Sequence, residues 1–155
     1  MVRCQMIMPY DDILSELSGL FEGEHDAIAN AANAAAVLWQ HLPDINWAGF
    51  YFLKGGELVL GPFQGKPACI RIGLHQGVCG AAASRRESLV VADVHEFPGH
   101  IACDGASNAE IVVPLLRGDT LLGVLDIDSP RHGRFTEEDR AGCEAVARAY
   151  VASLA

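Results

Sequence analysis

Residues 46–63 read NWAGFYFLKGGELVLGPF. Two apolar, aromatic-rich runs are separated by Lys54-Gly55-Gly56, a combination that marks a β-hairpin. Alternation along the first run sets Trp47, Gly49, Tyr51 and Leu53 on one face and Ala48, Phe50 and Phe52 on the other. Strands joined by so tight a turn run antiparallel. The second strand covers Glu57 to Phe63, residues 64–67 form a loop, and Cys69 to Ile72 reads as a brief third strand.

The pattern repeats toward the C-terminus. Ile111 to Leu116, a turn at Arg117-Gly118-Asp119, and Leu121 to Asp128 make a second hairpin, with a short strand at Leu89 to Val91 before it. Between the hairpins, Gly77 to Ala83 reads as a turn leading into a short helix that ends near Arg85-Arg86. Helices flank this β region. Asp11 to Leu20 is amphipathic with acids at its start, and Asp26 to Leu42 is rich in alanine and stopped by Pro43. Ala27, Ala31, Ala34, Leu38 and Leu42 share one side of the second helix, which suits close approach to another helix within the subunit or across a homodimer. The last helix starts at a Thr136 cap followed by Glu137, Glu138 and Asp139, and runs to about Leu154, burying Cys143, Val146, Ala147 and Tyr150. Helices before and after hairpin-joined strands predict an α+β domain with an antiparallel sheet.

With 155 residues, half of them hydrophobic, the chain can bury a core as one domain, 1–155. Residues 1–8 read as a disordered or mis-started extension, Met8 being a second candidate start. A formal charge of −9 argues against nucleic-acid and anionic-membrane surfaces. No apolar run approaches the ~20 residues that span a bilayer, and the N-terminus lacks the pattern of a signal peptide. A cytoplasmic location is expected, where five cysteines do not by default form a disulfide framework.

Chemistry concentrates between His95 and Leu115, HEFPGHIACDGASNAEIVVPL. Asp126 and Asp128 alternate with Leu125 and Ile127, so both acids share one strand face, and Glu110 opens the neighbouring strand. Three acids meeting at one end of a sheet raise at least one pKa and leave a proton donor near neutrality. Asp128 also fits a cap on the Ser129-Pro130 turn. Cys69, Cys79 and Cys103 lie in loop-like sequence, and Cys103, near His100 and Asp104, is a candidate nucleophile that a second thiol could resolve. A zinc site built from His95, His100 and Cys103 with Asp104 or Cys79 competes, but C-x-x-C and H-x-x-x-H elements are lacking, and the expectation is no metal.

Five stretches, NWAGFY, GPFQGKPACIRI, GVCG, DVHEFPGHIACDGASNAEIVVPL and GVLDIDSP, together resemble the free methionine-(R)-sulfoxide reductases, enzymes built on a single GAF domain. The similarity runs from about Asn46 to the last helix. It implies that Cys103 attacks the sulfoxide sulfur and becomes a sulfenic acid, and that Cys69 resolves it into a disulfide. It gives Cys79 a less settled part, as partner or backup. It implies that Glu110, Asp126 and Asp128 hold the substrate ammonium and handle the sulfoxide oxygen, that Trp47 and Tyr51 line the pocket, and that thioredoxin recycles the enzyme with no bound cofactor. A homodimer is expected from the same resemblance. Ala109 stands where the family often has serine before the Glu110 position. The alternative is a GAF module that senses a small molecule without catalysis.

Overall fold

Lys54 and Glu57 pair across the turn at Gly55-Gly56, whose φ angles of 60° and 83° are those that the tightest hairpin turn demands and that glycine adopts without strain. The computed structural model describes residues 9–99 and 105–154. Around this hairpin the chain forms α1 (Pro9–Phe21), α2 (Ala27–His41), β1 (Trp47–Lys54), β2 (Glu57–Gly65), β3 (Arg71–Gly73), α3 (Gly77–Arg85), β4 (Leu89–Val91), a short 3-10 turn (Val94–Glu96), β5 (Ala109–Arg117), β6 (Thr120–Ser129) and α4 (Glu137–Ser153). The strands form one sheet in the order β3-β2-β1-β6-β5-β4, every neighbouring pair antiparallel. The α+β architecture expected from the hairpins is what the chain adopts.

The two faces of β1 serve two layers. Ala48 and Phe50 join a core with α1, α2 and α4, in which Phe50 and Tyr150 lie 4.9 Å apart, ring centre to ring centre. Trp47 and Tyr51 face the other way, into a smaller cluster closed by α3 through Val78, Cys79, Ala82 and Ala83. The period-two reading of this strand therefore holds residue by residue.

Asp26 caps α2 by accepting from the Ala29 N–H at 2.8 Å. Ala31 and Ala34 are buried as expected, whereas Ala27, in the first turn, is exposed. α4 opens with a capping box: Thr136 accepts from the Asp139 N–H, and the Asp139 carboxylate accepts from the Thr136 N–H at 2.9 Å. That carboxylate also receives Tyr10 at 2.7 Å and Arg134 at 3.1 Å, which fastens α1 to the start of α4. Gly142 lies under the Tyr10 ring, so here the small residue that admits a close helix contact is in α4.

Two local expectations are corrected. The third strand begins at Arg71, because its ladder pairs Arg71, Ile72 and Gly73 with Val59, Leu58 and Glu57. Cys69 therefore sits in the connecting loop, after Pro67, which has no N–H to give a ladder. Cys79 is not in a loop. It lies within α3 and is buried, because α3 packs its first turns onto the sheet. Gly80 meets the Gly73 carbonyl there, with no room for a Cβ. No helix among the described residues is long and apolar enough to cross a membrane.

Candidate active site

The acids are brought together by strand register. Across β5 and β6, Glu110 pairs with Asp128 and Val112 with Asp126; across β1 and β6, Trp47 pairs with Asp128 and Gly49 with Asp126. Directly opposed residues share a face, so Glu110, Asp126, Asp128, Trp47 and Tyr51 all point toward α3. They border a cavity of about 60 Å³ together with Cys79. Sequence reasoning placed all six of these residues at the site, and the structure brings them to one cavity.

Gly49 makes the floor possible. A Cβ there would lie 2.8 Å from the Phe63 Cα and 2.8 Å from the tip of the Trp47 ring. With only hydrogen in that position, Trp47 stacks on Phe63 at 5.2 Å and on Tyr51 at 5.8 Å. Both polar handles of this stack reach the same loop: Trp47 donates to the Lys66 carbonyl at 3.1 Å, and Tyr51 donates to the Cys69 carbonyl at 2.9 Å. The aromatic face thus wedges the cavity open and pins the segment that carries Cys69.

Burial governs the electrostatics. Glu110 and Asp126 are 8% and 6% exposed. Burial raises the Glu110 carboxyl well above its ordinary value, and the Asp126 charge raises it further. Burial does the same to Asp126, with Asp128 adding to it. The Cys79 thiol is raised by burial, then by Asp126 and Glu110, so it stays protonated and donates to Glu110 Oε1 at 3.7 Å. Tyr51 is held as a neutral phenol by burial and by the same acids. The two raised carboxyls are hydrogen-bonded to each other, so the pair holds a proton between them. Asp126 Oδ1 is buried and has no hydrogen-bond partner among the described residues. A buried acceptor left without a donor is costly, and this one borders the cavity. The group can bind a small cation, such as an ammonium, and can release a proton to an oxygen beside it.

One donor atom each from Cys79, Glu110 and Asp126 lies within 4.8 Å of the others, a spacing a metal ion could also bridge. Burial and mutual repulsion instead favour protons on these groups, which a metal would have to displace. Cys69 is disulfide-bonded, whereas Cys79 and Cys143 are free, so neither of these two is its partner. Cys143 packs against the Tyr10 hydroxyl, and burial pushes its thiol up to about 12. Cys103, His100 and Asp104 lie outside the described residues. Of the competing zinc set, His95 is exposed beside Asp93, whereas Cys79 is buried with Glu110 and Asp126.

The GAF domain pattern matches residues 10–154, which takes in every helix and strand after Pro9. The free methionine-R-sulfoxide reductase of Escherichia coli is 53% identical over 133 residues, 86% of this chain and 81% of that protein. The chain belongs to the GAF-domain family of free methionine-R-sulfoxide reductases. The fRMsr of Staphylococcus aureus, solved in complex with its substrate, superposes with a TM-score of 0.90 at 48% identity, covering 94% of this chain and 95% of that one. A Burkholderia vietnamiensis protein described as a GAF sensor superposes with a TM-score of 0.89 at 58% identity, covering 92% and 91%.

Within the framework of this reductase family, several cavity residues escaped the sequence reading. Lys66, Pro67 and Ala68 form one wall, Gln76 to Val78 at the start of α3 another, and Ser107 sits where it accepts from the Asn46 amide at 3.1 Å. Most of them lie in or beside the GPFQGKPACIRI and GVCG stretches. They line the cavity, and no pattern of spacing marked them in advance.

Proposed function

We propose that this protein reduces free L-methionine-(R)-sulfoxide to L-methionine. The observation that carries the reading is the buried acid cluster, with the unpartnered Asp126 Oδ1, bordering a cavity whose opposite wall is the loop of the disulfide-bonded Cys69. The cavity lies between the acid-bearing face of the sheet and α3, and its buried carboxyl groups suit the charged end of a free amino acid. The acids receive the substrate ammonium and exclude an amide nitrogen, which carries no charge. The first turn of α3, through Val78 and Cys79, offers N–H groups and a positive dipole end to the substrate carboxylate. Trp47 and Tyr51 supply the apolar wall for the methyl group.

In this reading the Cys103 thiolate attacks the sulfoxide sulfur. The oxygen takes a proton from the Glu110–Asp126 pair and passes to the cysteine, so methionine leaves and Cys103 becomes a sulfenic acid. The Cys69 thiol then attacks that sulfur, water departs, and a disulfide forms. An external dithiol of the thioredoxin class reduces it by exchange, in the cytoplasm, and no bound cofactor is required. The free state of Cys79 and Cys143 supports Cys69 as the resolving thiol. A thiol held protonated is a poor nucleophile, so Cys79 acts as a hydrogen-bond donor to the acids. We further propose that the protein works as a homodimer.

The test is a single-turnover measurement of methionine release from each sulfoxide epimer, free and within a peptide. Cys103→Ser should abolish release, while Cys69→Ser should keep the first turnover and lose recycling by thioredoxin. First-turnover release by the Cys103 variant at the parent's rate refutes the assignment. Saturable binding of the sulfoxide without release would instead establish a ligand-sensing module.

A further inference from the structure

A second cluster of ligand-type side chains stands apart from the cavity. Asp93 lies between β4 and the 3-10 turn, His95 is within that turn, and His132 comes from the loop between β6 and α4. One donor atom from each lies within 4.8 Å of the other two. The His95 Nδ1 is 2.9 Å from Asp93 Oδ1, and the His132 Nε2 is 3.7 Å from Asp93 Oδ2. None of the three borders the acid-lined cavity.

An ordinary surface ion pair joins one cation to one carboxylate. Here two imidazoles from separate loops converge on a single carboxylate, and the backbone fixes how the loops meet. The Gly133 N–H donates to the Ala92 carbonyl at 2.9 Å, which joins the residue after His132 to the residue before Asp93. Asn108 braces both sides: its carbonyl accepts from the Val94 N–H at 2.8 Å, and its side-chain amide donates to the Pro130 carbonyl at 2.7 Å. Asp93 also accepts from the His95 N–H at 3.0 Å, which orients the carboxylate. Donors held on a fixed frame are what a metal site requires.

We propose that Asp93, His95 and His132 bind a divalent transition-metal ion of the zinc type at the protein surface. Two imidazole nitrogens and one carboxylate are the ligands such ions select, and the nitrogen donors disfavour calcium and magnesium. Bonds of roughly 2.0–2.2 Å to a metal set neighbouring donors roughly 3–3.6 Å apart. The Asp93–His95 and Asp93–His132 separations are already close to this, and both imidazoles are more than half exposed. Solvent completes the coordination. The ion would tie the segment that leads toward Cys103 to the loop before α4.

Zinc binding to the untagged, oxidised protein, measured by titration calorimetry in a non-chelating buffer, is the test. One ion per chain is expected, with binding about tenfold or more weaker in His132→Ala and in Asp93→Asn, as loss of a ligand or its support typically causes. Circular dichroism and metal-free melting of both variants should match the parent, since His132 is exposed and asparagine in place of Asp93 keeps an oxygen to accept from the His95 N–H. Zinc should raise the parent's melting temperature and leave the variants unmoved. Cobalt provides the second readout: bound through nitrogen and oxygen, it gives no sulfur-to-metal band in the near ultraviolet. The proposal is overturned by absence of saturable binding, by undiminished affinity in both variants, or by a sulfur band that assigns the ion to cysteine.

Discussion

Asp126→Asn separates what the buried acids cost from what they do. The substitution keeps the side chain's shape and removes its charge, at a residue that is 6% exposed and next to the equally buried Glu110. Burial, and then Asp128, raise the Asp126 carboxyl in the folded state. A group with a raised folded-state pKa binds more protons in the native than in the unfolded protein. Its stability contribution is therefore intact at or below the ordinary carboxyl value of about 4 and is lost as pH rises through the folded value. Asparagine has no such loss, so the variant's advantage should be small at pH 5 and should grow toward pH 8. Relief of strain at a functional site commonly gives about 1–2 kcal/mol, or ~2–8 °C in melting temperature for a chain of this size. Activity should move the opposite way. If Asp126 Oδ1 receives the substrate ammonium, its loss removes a charged hydrogen bond worth about 1.5–3 kcal/mol, a fall of about 10- to 150-fold in kcat/KM. Melts at pH 5 and pH 8, with methionine release measured on the same samples, read both. A variant less stable than the parent at pH 8, or one with undiminished kcat/KM, refutes the reasoning.

Gly49→Ala should lower stability by about 1–3 kcal/mol, because its methyl must displace Phe63 backbone or the Trp47 ring, and it should reduce substrate affinity by shrinking the cavity; melting and KM check this. Tyr51→Phe removes the hydroxyl that donates to the Cys69 carbonyl and should cost about 1 kcal/mol, seen as a drop of ~2–4 °C in the melting temperature.

Much of the fold could be read because glycines and apolar alternation coincide. Gly55-Gly56 announces the first hairpin, and the Trp47 to Leu53 alternation correctly divides the strand between helix layer and cavity. The carboxylates could also be found, since charged residues alternating with Leu125 and Ile127 have no inexpensive structural place. Less legible was the status of the thiols. A buried helical cysteine and a loop cysteine look alike when both are flanked by small residues, and what distinguishes Cys79 from Cys69 is the packing of α3 onto the sheet. Backbone contributions, such as the Lys66 and Cys69 carbonyls that receive Trp47 and Tyr51, leave no compositional trace at all.

The convergence of Glu110 on the aspartates depends on a feature that alternation alone would have missed. Near the β5–β6 turn, Arg117 pairs with Thr120 and Leu116 with Leu121. Continued unbroken, that register would set Glu110 opposite Ile127 and turn Asp126 and Asp128 to the helix side of the sheet, with their charges in the main core. Instead the register shifts by one residue between Leu115 and Leu116, so Glu110 meets Asp128 on the cavity side. Gly123 sits at the shift, pressed so closely on the Tyr51 carbonyl that no Cβ fits. A second shift between Gly49 and Tyr51 in β1 falls beside the Trp47–Phe63 stack. Both irregularities lie next to glycines in strand interiors, where glycine weakens a strand unless a bulge or a close backbone contact requires it. One small backbone defect thus sets the acid cluster and another the aromatic stack beside it, and the strands on either side of them remain regular enough to carry the core.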